Sequence, residues 1–279
     1  MRLERAVSLR RLVCSGVFLE VFLVVVSGLY GLIFGSFMNV AVYRLPRKES
    51  LTRPGSHCPC CGAPIRARDN IPVLSYLLLR GRCRDCRAPI SIRYPLIELA
   101  TGVLFAGVAA KVGASWALPA YLWFAWALLA LALIDAGHRI LPNRLTYPTA
   151  IAGLVLLVIP VLAGEAGWGA YGGAVLAGLV AGGGFLLLAV IRPGGMGMGD
   201  VKLAAVLGLY LGFLGWRSLV VGLFAGFLLG GVSGLVLIGS GKRSRKDMIP
   251  FGPFLALGGL VGLFAGSPLA EAYSHLLGR

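Results

Sequence analysis

Long apolar runs recur along nearly the whole chain, each closed by a short polar or glycine- and proline-containing hinge. Read for runs long enough to cross a bilayer as helix, the pattern predicts spans at about 17–43, 95–111, 116–134, 148–163, 170–191, 201–215, 217–239 and 250–267. The last three are glycine-rich enough that one of them is a candidate re-entrant segment. The only long hydrophilic stretch, residues 44–94, lies between the first two spans. The expected fold is an all-α polytopic membrane protein with about eight transmembrane helices and a small loop domain. It divides into an N-terminal segment with the first helix (1–43), the loop (44–94) and a multi-helix membrane domain (95–279). No internal repeat or low-complexity linker stands out.

Charge then orients the pattern. Only 13% of residues are charged, yet the net charge is +15. In a soluble protein that balance would suggest nucleic acid. Here the arginines sit in loops, where they act as orientation signals and contacts to anionic lipid, so the expected partner is the bilayer and not nucleic acid. Residues 44–94 carry eleven Lys and Arg, whereas the next connection carries Lys111 alone. The long loop is therefore expected to be cytoplasmic. Alternation places Arg139, Arg144, Arg192, Lys202 and the cluster Lys242, Arg243, Arg245 and Lys246 on the same side. Arg2, Arg5, Arg10 and Arg11 fall on the opposite side under eight spans, in conflict with the same rule. The basic start followed by an apolar run resembles a signal peptide, but Glu20 interrupts that run and hydrophobicity continues to about Val42 without a small-residue cleavage site. An uncleaved first helix fits better.

Two carboxylates stand at membrane boundaries, where ionisable groups are costly and default to a functional reading. Asp135 ends an apolar helix ahead of a Leu-Pro-Asn turn, in LIDAGHRILPNRLTYP. Asp200 closes GMGMGD. Two spans separate them, so both return to one membrane face. Paired carboxylates cannot both ionise easily, so one serves as acid and the other as base, a pair able to activate water toward a peptide carbonyl. Gly195, Gly197 and Gly199 lack side chains and would let an extended substrate backbone approach Asp200. Each aspartate also has a plainer reading. Asp135 could pair with His138 or Arg139 at a helix end, and Asp200 could cap the following helix.

The loop holds a second constellation. HCPCCGAP and GRCRDCRAP place Cys58 and Cys61, then Cys83 and Cys86, as two Cys-x-x-Cys pairs. That spacing suits a four-thiolate zinc knuckle, and a cytoplasmic setting argues against disulfides. Cys60 competes with Cys61 as ligand, although the two-residue spacing favours Cys61. Cys14 reads as a small residue near the membrane.

GLIFGSFMNVAVYRLPR at 31–47, the cysteine pairs, DNIPVLSYLLLRGRCR at 69–84, ISIRYPLIELATG at 90–102, the Asp135 turn and GMGMGDVKLAAVLG together resemble the bacterial prepilin peptidases of the type IV leader peptidase family. The resemblance runs in order from about residue 25. It implies a GxGD-type aspartyl protease of the bacterial inner membrane, multi-pass, with its active site facing the cytoplasm and its catalytic aspartates at Asp135 and Asp200. It further implies substrates that are prepilin and type II secretion pseudopilin precursors. An N-methyltransferase activity using S-adenosylmethionine is implied as well, since members with an intact cysteine loop are often bifunctional. The chain departs from many relatives at Asn143, where they carry a further aspartate. Two other classes remain as alternatives. A proton-coupled transporter would use the aspartates as a relay but has no need of the cysteine loop, whereas a membrane-anchored zinc adaptor would leave the aspartates idle.

Overall fold

A computed structural model describes residues 2–192, 196–240 and 250–276, with side chains from Val17 onward. Ten α-helices, and no β-strand among the described residues, bear out the all-helical expectation. The eight long ones fall on the eight predicted runs. Among the described residues seven segments, one of them running from Asn143 to Leu162, are long and apolar enough to cross a membrane, so the chain is a multi-pass membrane protein. The cluster at Lys242 to Lys246 lies outside the described residues.

The chain forms two compact units, residues 1–118 and 119–279. In the first, α1 (Arg2–Arg44) packs along α3 (Arg93–Val112), with α2 (Leu74–Leu78) in the loop between them. In lipid no hydrophobic drive holds two helices together, so packing depends on small residues that let backbones approach. A Cβ on Gly31 would lie 2.6 Å from the Thr101 carbonyl oxygen, and one on Gly35 2.6 Å from Glu98 Cα. Helix α3, grouped by its sequence position with the later helices, is thus zipped to α1.

The second unit contains α4 (Leu118–His138), α5 (Asn143–Leu156), α6 (Ile159–Leu162), α7 (Trp168–Ile191), α8 (Met198–Leu214), α9 (Trp216–Gly239) and α10 (Gly252–Leu276). The expected span at 148–163 is in fact two pieces that begin earlier, at Asn143. Pro160 has no N–H to continue α5 and takes an early position in α6 instead. Helix α8 is the hub, touching α5, α7, α9 and α10. It has only 17 residues, about 26 Å of helix against about 30 Å of hydrocarbon. Because Leu203, Ala204, Leu207, Tyr210 and Leu211 are fully buried, protein rather than lipid surrounds it and its length need not match the bilayer. On one side, the place of a side chain at Gly208 is taken by the Ala177 carbonyl of α7. On another, α4 packs through aromatics: Phe124 stacks on Tyr210 with ring centroids 4.4 Å apart. The Tyr121 hydroxyl donates to the Tyr210 carbonyl at 3.0 Å, and the Tyr210 hydroxyl to the Thr149 carbonyl at 3.0 Å. These bonds satisfy polar groups that lie too deep for water.

Gly208 and Gly183 provide a matched test of this packing. Gly208→Ala forces a methyl into the α7 backbone and is expected to cost roughly 1–3 kcal/mol through overpacking. Gly183→Ala meets nothing within 4 Å and is expected to be neutral. Thermal unfolding of the two variants in detergent distinguishes them, and equal melting temperatures would contradict the packing described.

Candidate functional site

Helix α4 ends one turn beyond Asp135. The Arg139 amide donates to the Asp135 carbonyl at 2.8 Å, and Arg139 takes a left-handed backbone conformation that stops the helix. The chain turns through Leu141 and Pro142, and α5 starts at Asn143. Asp135 is only 5% exposed. Its carboxylate accepts a hydrogen bond from the backbone amide of Gly252, the first residue of α10. The partner that the structure gives it is therefore a helix N-terminus, whose amides and dipole favour a negative group.

Asp200 sits in the first turn of α8, three residues after the N-cap Gly197. The Gly197 amide donates back to the Asp200 carboxylate, one half of a capping box. The plainer capping reading of Asp200 thus has a geometric basis, from within the first turn rather than from the cap itself. Asp200 is half-buried, and Asp135 lies near enough to act on it electrostatically. The two aspartates therefore lie within electrostatic reach of one another, where the starts of α8 and α10 both pack on Leu141 just past the end of α4.

Of the three expected substrate-approach glycines, Gly195 lies outside the described residues. A Cβ on Gly197 would lie 3.2 Å from Asp200 Oδ2, so this glycine does border the carboxylate. The space beside Gly199 is taken by Leu141, whose Cβ would be 2.9 Å from an added methyl. Gly199 therefore serves packing. The same Leu141 lies 3.2 Å from the place of a side chain at Gly252, which makes it the wedge between the two helix starts.

Gly252 is the residue that sequence reasoning missed. A Cβ there would lie 2.6 Å from Asp135 Oδ2, so only glycine lets the α10 amide reach the carboxylate. Its signal was present in Phe-Gly-Pro at 251–253, a helix start with Pro just inside. A second overlooked pair is Lys202 and Asn143. The ammonium donates to Asn143 Oδ1 at 2.8 Å and stands 5.0 Å over the Tyr147 ring, tying α8 to the start of α5.

In the first unit, the sulfurs of Cys58, Cys61, Cys83 and Cys86 all lie within 4.8 Å of one another, and Cys60 is not among them. These five loop cysteines are free thiols. Tetrahedral zinc with bonds of about 2.3 Å sets sulfurs about 3.8 Å apart, and Cys58 Sγ lies 3.8 Å from Cys86 Sγ. The four residues can hold a metal ion. Their local fold is a short repeat that the span-scale pattern concealed. In the first knuckle, the Cys58 amide donates to the Ala63 carbonyl and Gly62 turns with positive φ. In the second, the Cys83 amide donates to the Ala88 carbonyl and Arg87 does the turning. The amides of Cys61 and Cys60 hydrogen-bond the Cys58 sulfur and lower its thiol to about 6, which favours the thiolate that a metal requires. Arg84 locks the knuckles to the preceding turn through a bidentate pair with Asp69, with Nε to Oδ2 at 2.8 Å. This contact holds the Asp69 carboxyl below the usual range.

A family model described as the bacterial peptidase A24 N-terminal domain matches residues 29–112, and the type IV leader peptidase family model matches residues 122–235. The prepilin leader peptidase/N-methyltransferase of Burkholderia pseudomallei strain 1026b is 40% identical over 271 residues, covering 85% of this chain and 84% of its own. The protein of the same description from Stutzerimonas stutzeri is 38% identical, covering 87% and 91%. That from Pseudomonas aeruginosa strain PAO1 is 36% identical, covering 90% and 93%. No solved structure matches.

The sulfur geometry generates a metal prediction. Purified protein is expected to carry about one metal per chain, as four-thiolate sites do. Cys83→Ser or Cys61→Ser is expected to lose it and Cys60→Ser to keep it, by elemental analysis of membranes solubilised without chelator. Retention in Cys61→Ser with loss in Cys60→Ser would exchange the two ligands.

Proposed function

The chain belongs to the type IV leader peptidase family, and on that premise we propose that Asp135 and Asp200 are the catalytic pair of a membrane aspartic endopeptidase. The observation that supports this most is that two carboxylates at helix ends lie within electrostatic reach of one another, each receiving one backbone amide. One carboxylate takes a proton from water as the oxygen attacks the scissile carbonyl. The other protonates the leaving amine as the C–N bond breaks. The amides of Gly252 and Gly197 fix where each carboxylate points, and Gly197 leaves room beside Asp200 for an extended backbone.

The substrates are prepilin and pseudopilin precursors, whose leader is removed, and the new N-terminus is then N-methylated. The methyl donor is S-adenosylmethionine, which supplies an electrophilic methyl group. Zinc held by Cys58, Cys61, Cys83 and Cys86 stabilises the loop outright, as structural zinc does in small domains. The count of Lys and Arg in residues 44–94 supports an inner-membrane protein with the loop and the active site on the cytoplasmic side.

Asp135→Asn and Asp200→Asn are each expected to lower cleavage by at least about a hundredfold, the scale of general acid–base catalysis, while leaving the protein in the membrane. Intact-mass analysis of a co-expressed prepilin is the readout, and substantial processing by either variant refutes the assignment. Gly252→Ala displaces the Asp135 carboxylate without removing it. Its expected effect is a fall of about a hundredfold in kcat with KM little changed, as for a small misplacement of a catalytic group. Wild-type turnover would remove Gly252 from the site.

A further inference from the structure

Two residues beyond Asp200, α8 carries Lys202, half-buried near a helix start whose dipole disfavours a cation. Among the described residues its ammonium has no carboxylate partner. Both of its partners lie on α5, one turn apart: Asn143 Oδ1 accepts from it at 2.8 Å, and the Tyr147 ring lies 5.0 Å from it. Residues four apart share one helix face, so the lysine fixes the rotation of α5 as well as its distance. The turn before α5 carries this contact to the site. Leu141 fills the place of a side chain at Gly199 and closes on that at Gly252, at 2.9 and 3.2 Å. Only Pro142, with φ held at −68° by its ring, separates Leu141 from Asn143. The segment 141–143 is thus seated on α8 at two points, by Leu141 on Gly199 and by Asn143 on Lys202, and these two α8 residues flank Asp200 in the chain. The same segment abuts Gly252, whose amide holds Asp135. A shift of 141–143 therefore moves the two aspartates relative to one another.

We propose that Lys202 is a positioning residue of the cleavage reaction: it holds Asn143, keeps the Leu141 turn seated between the starts of α8 and α10, and so sets the spacing of Asp135 and Asp200. The inference rests on the aspartate reading given above. Lys202 touches no reacting atom, since its ammonium is directed to α5 while each carboxylate receives a backbone amide. Leu141 offers only apolar contact, which has no preferred direction and permits sliding. The lysine supplies the directed bond. A charged donor makes a shorter and stronger hydrogen bond than a neutral one, and the Tyr147 face attracts it further because it is a cation.

The test compares full-length variants in detergent on a purified prepilin precursor, with initial rates taken over a range of substrate. Lys202→Met keeps the stem and loses the charge and the donor, and Asn143→Leu removes the acceptor at an exposed position. Each is expected to lower kcat about tenfold with KM and melting temperature little changed, because misplacing a catalytic group acts on kcat. The double variant is expected to lose about the same tenfold, since the two side chains form one contact. Asn143→Asp, which keeps an acceptor, is expected to recover most of the turnover lost in Asn143→Leu. Wild-type kcat in Lys202→Met while Asp200→Asn is inactive overturns this inference alone, whereas processing by Asp200→Asn overturns the aspartate reading with it. A rise in KM at unchanged kcat makes Lys202 a substrate contact, and a loss of about a hundredfold in the double variant makes the two residues independent. A fall in kcat matched by a fall in melting temperature makes the bond a structural strut. Each of these three overturns the positioning role. If Lys202→Met does not fold, Asn143→Leu reports the same bond from the exposed side.

Discussion

Helices in lipid gain nothing from hiding apolar surface from one another, so they hold together through tight packing, most of all where their backbones come close, and through hydrogen bonds between them. The placement of the carboxylates among the long helices depends on that approach. Gly31 and Gly35 bring α1 onto α3, and Gly208 brings α8 onto α7. The α9 and α10 pair uses the same means, with backbone atoms at Gly222 and Gly226 occupying the place of a side chain at Gly258. The glycines at these helix contacts are in this sense the counterpart of a hydrophobic core. Together with the aromatic contact to α4, they allow a 17-residue helix to be enclosed by its neighbours. An enclosed helix can end inside the protein, and its first turn then presents Asp200 to other helix ends instead of to lipid.

The three carboxylates at helix starts and ends are handled in the same way. Asp135 receives the amide of Gly252, Asp200 the amide of Gly197 and Glu98 the amide of Val73. A carboxylate compensated by an arginine would be held charged and its lone pairs committed. Neutral amides stabilise it more weakly and leave lone pairs for water or substrate. The loop behaves in the opposite manner. Asp69 is clamped bidentately by Arg84, an arrangement suited to a structural pair and not to a reactive one.

Much of this was legible in the chain, for identifiable reasons. Hydropathy located every long helix, because backbone satisfaction in lipid leaves helix as the available form. The Cys-x-x-Cys spacing is local, so the four sulfurs could be named together. Asp135 and Asp200 stood out because charge is rare in spans. Contacts made across the fold left no such mark. Nothing near Gly252 announces that it must touch a residue more than a hundred positions earlier, and nothing in GMGMGD tells Gly197, which borders the carboxylate, from Gly199, which Leu141 covers. The split of the 148–163 span did have a local cause in Pro160, but a long apolar run masks a break of two residues. Glu98 was passed over because a lone glutamate in the first turns of a span looks like an interfacial residue until its partners are known.

The aspartates are not equivalent, and the asymmetry has a direction. Asp135 is nearly inaccessible behind Leu141 and the start of α10, whereas Asp200 is half-buried and bordered by the exposed Gly197. Under the proposed assignment, an extended peptide would come alongside Asp200, and reaching Asp135 would displace the Gly252 contact. In the proposed chemistry this makes Asp200 the group that meets the substrate first and Asp135 the one whose position is set in advance by α10. Such a division suits a protease in a membrane. One carboxylate must admit a chain and a water molecule, and the other must hold its geometry while they enter.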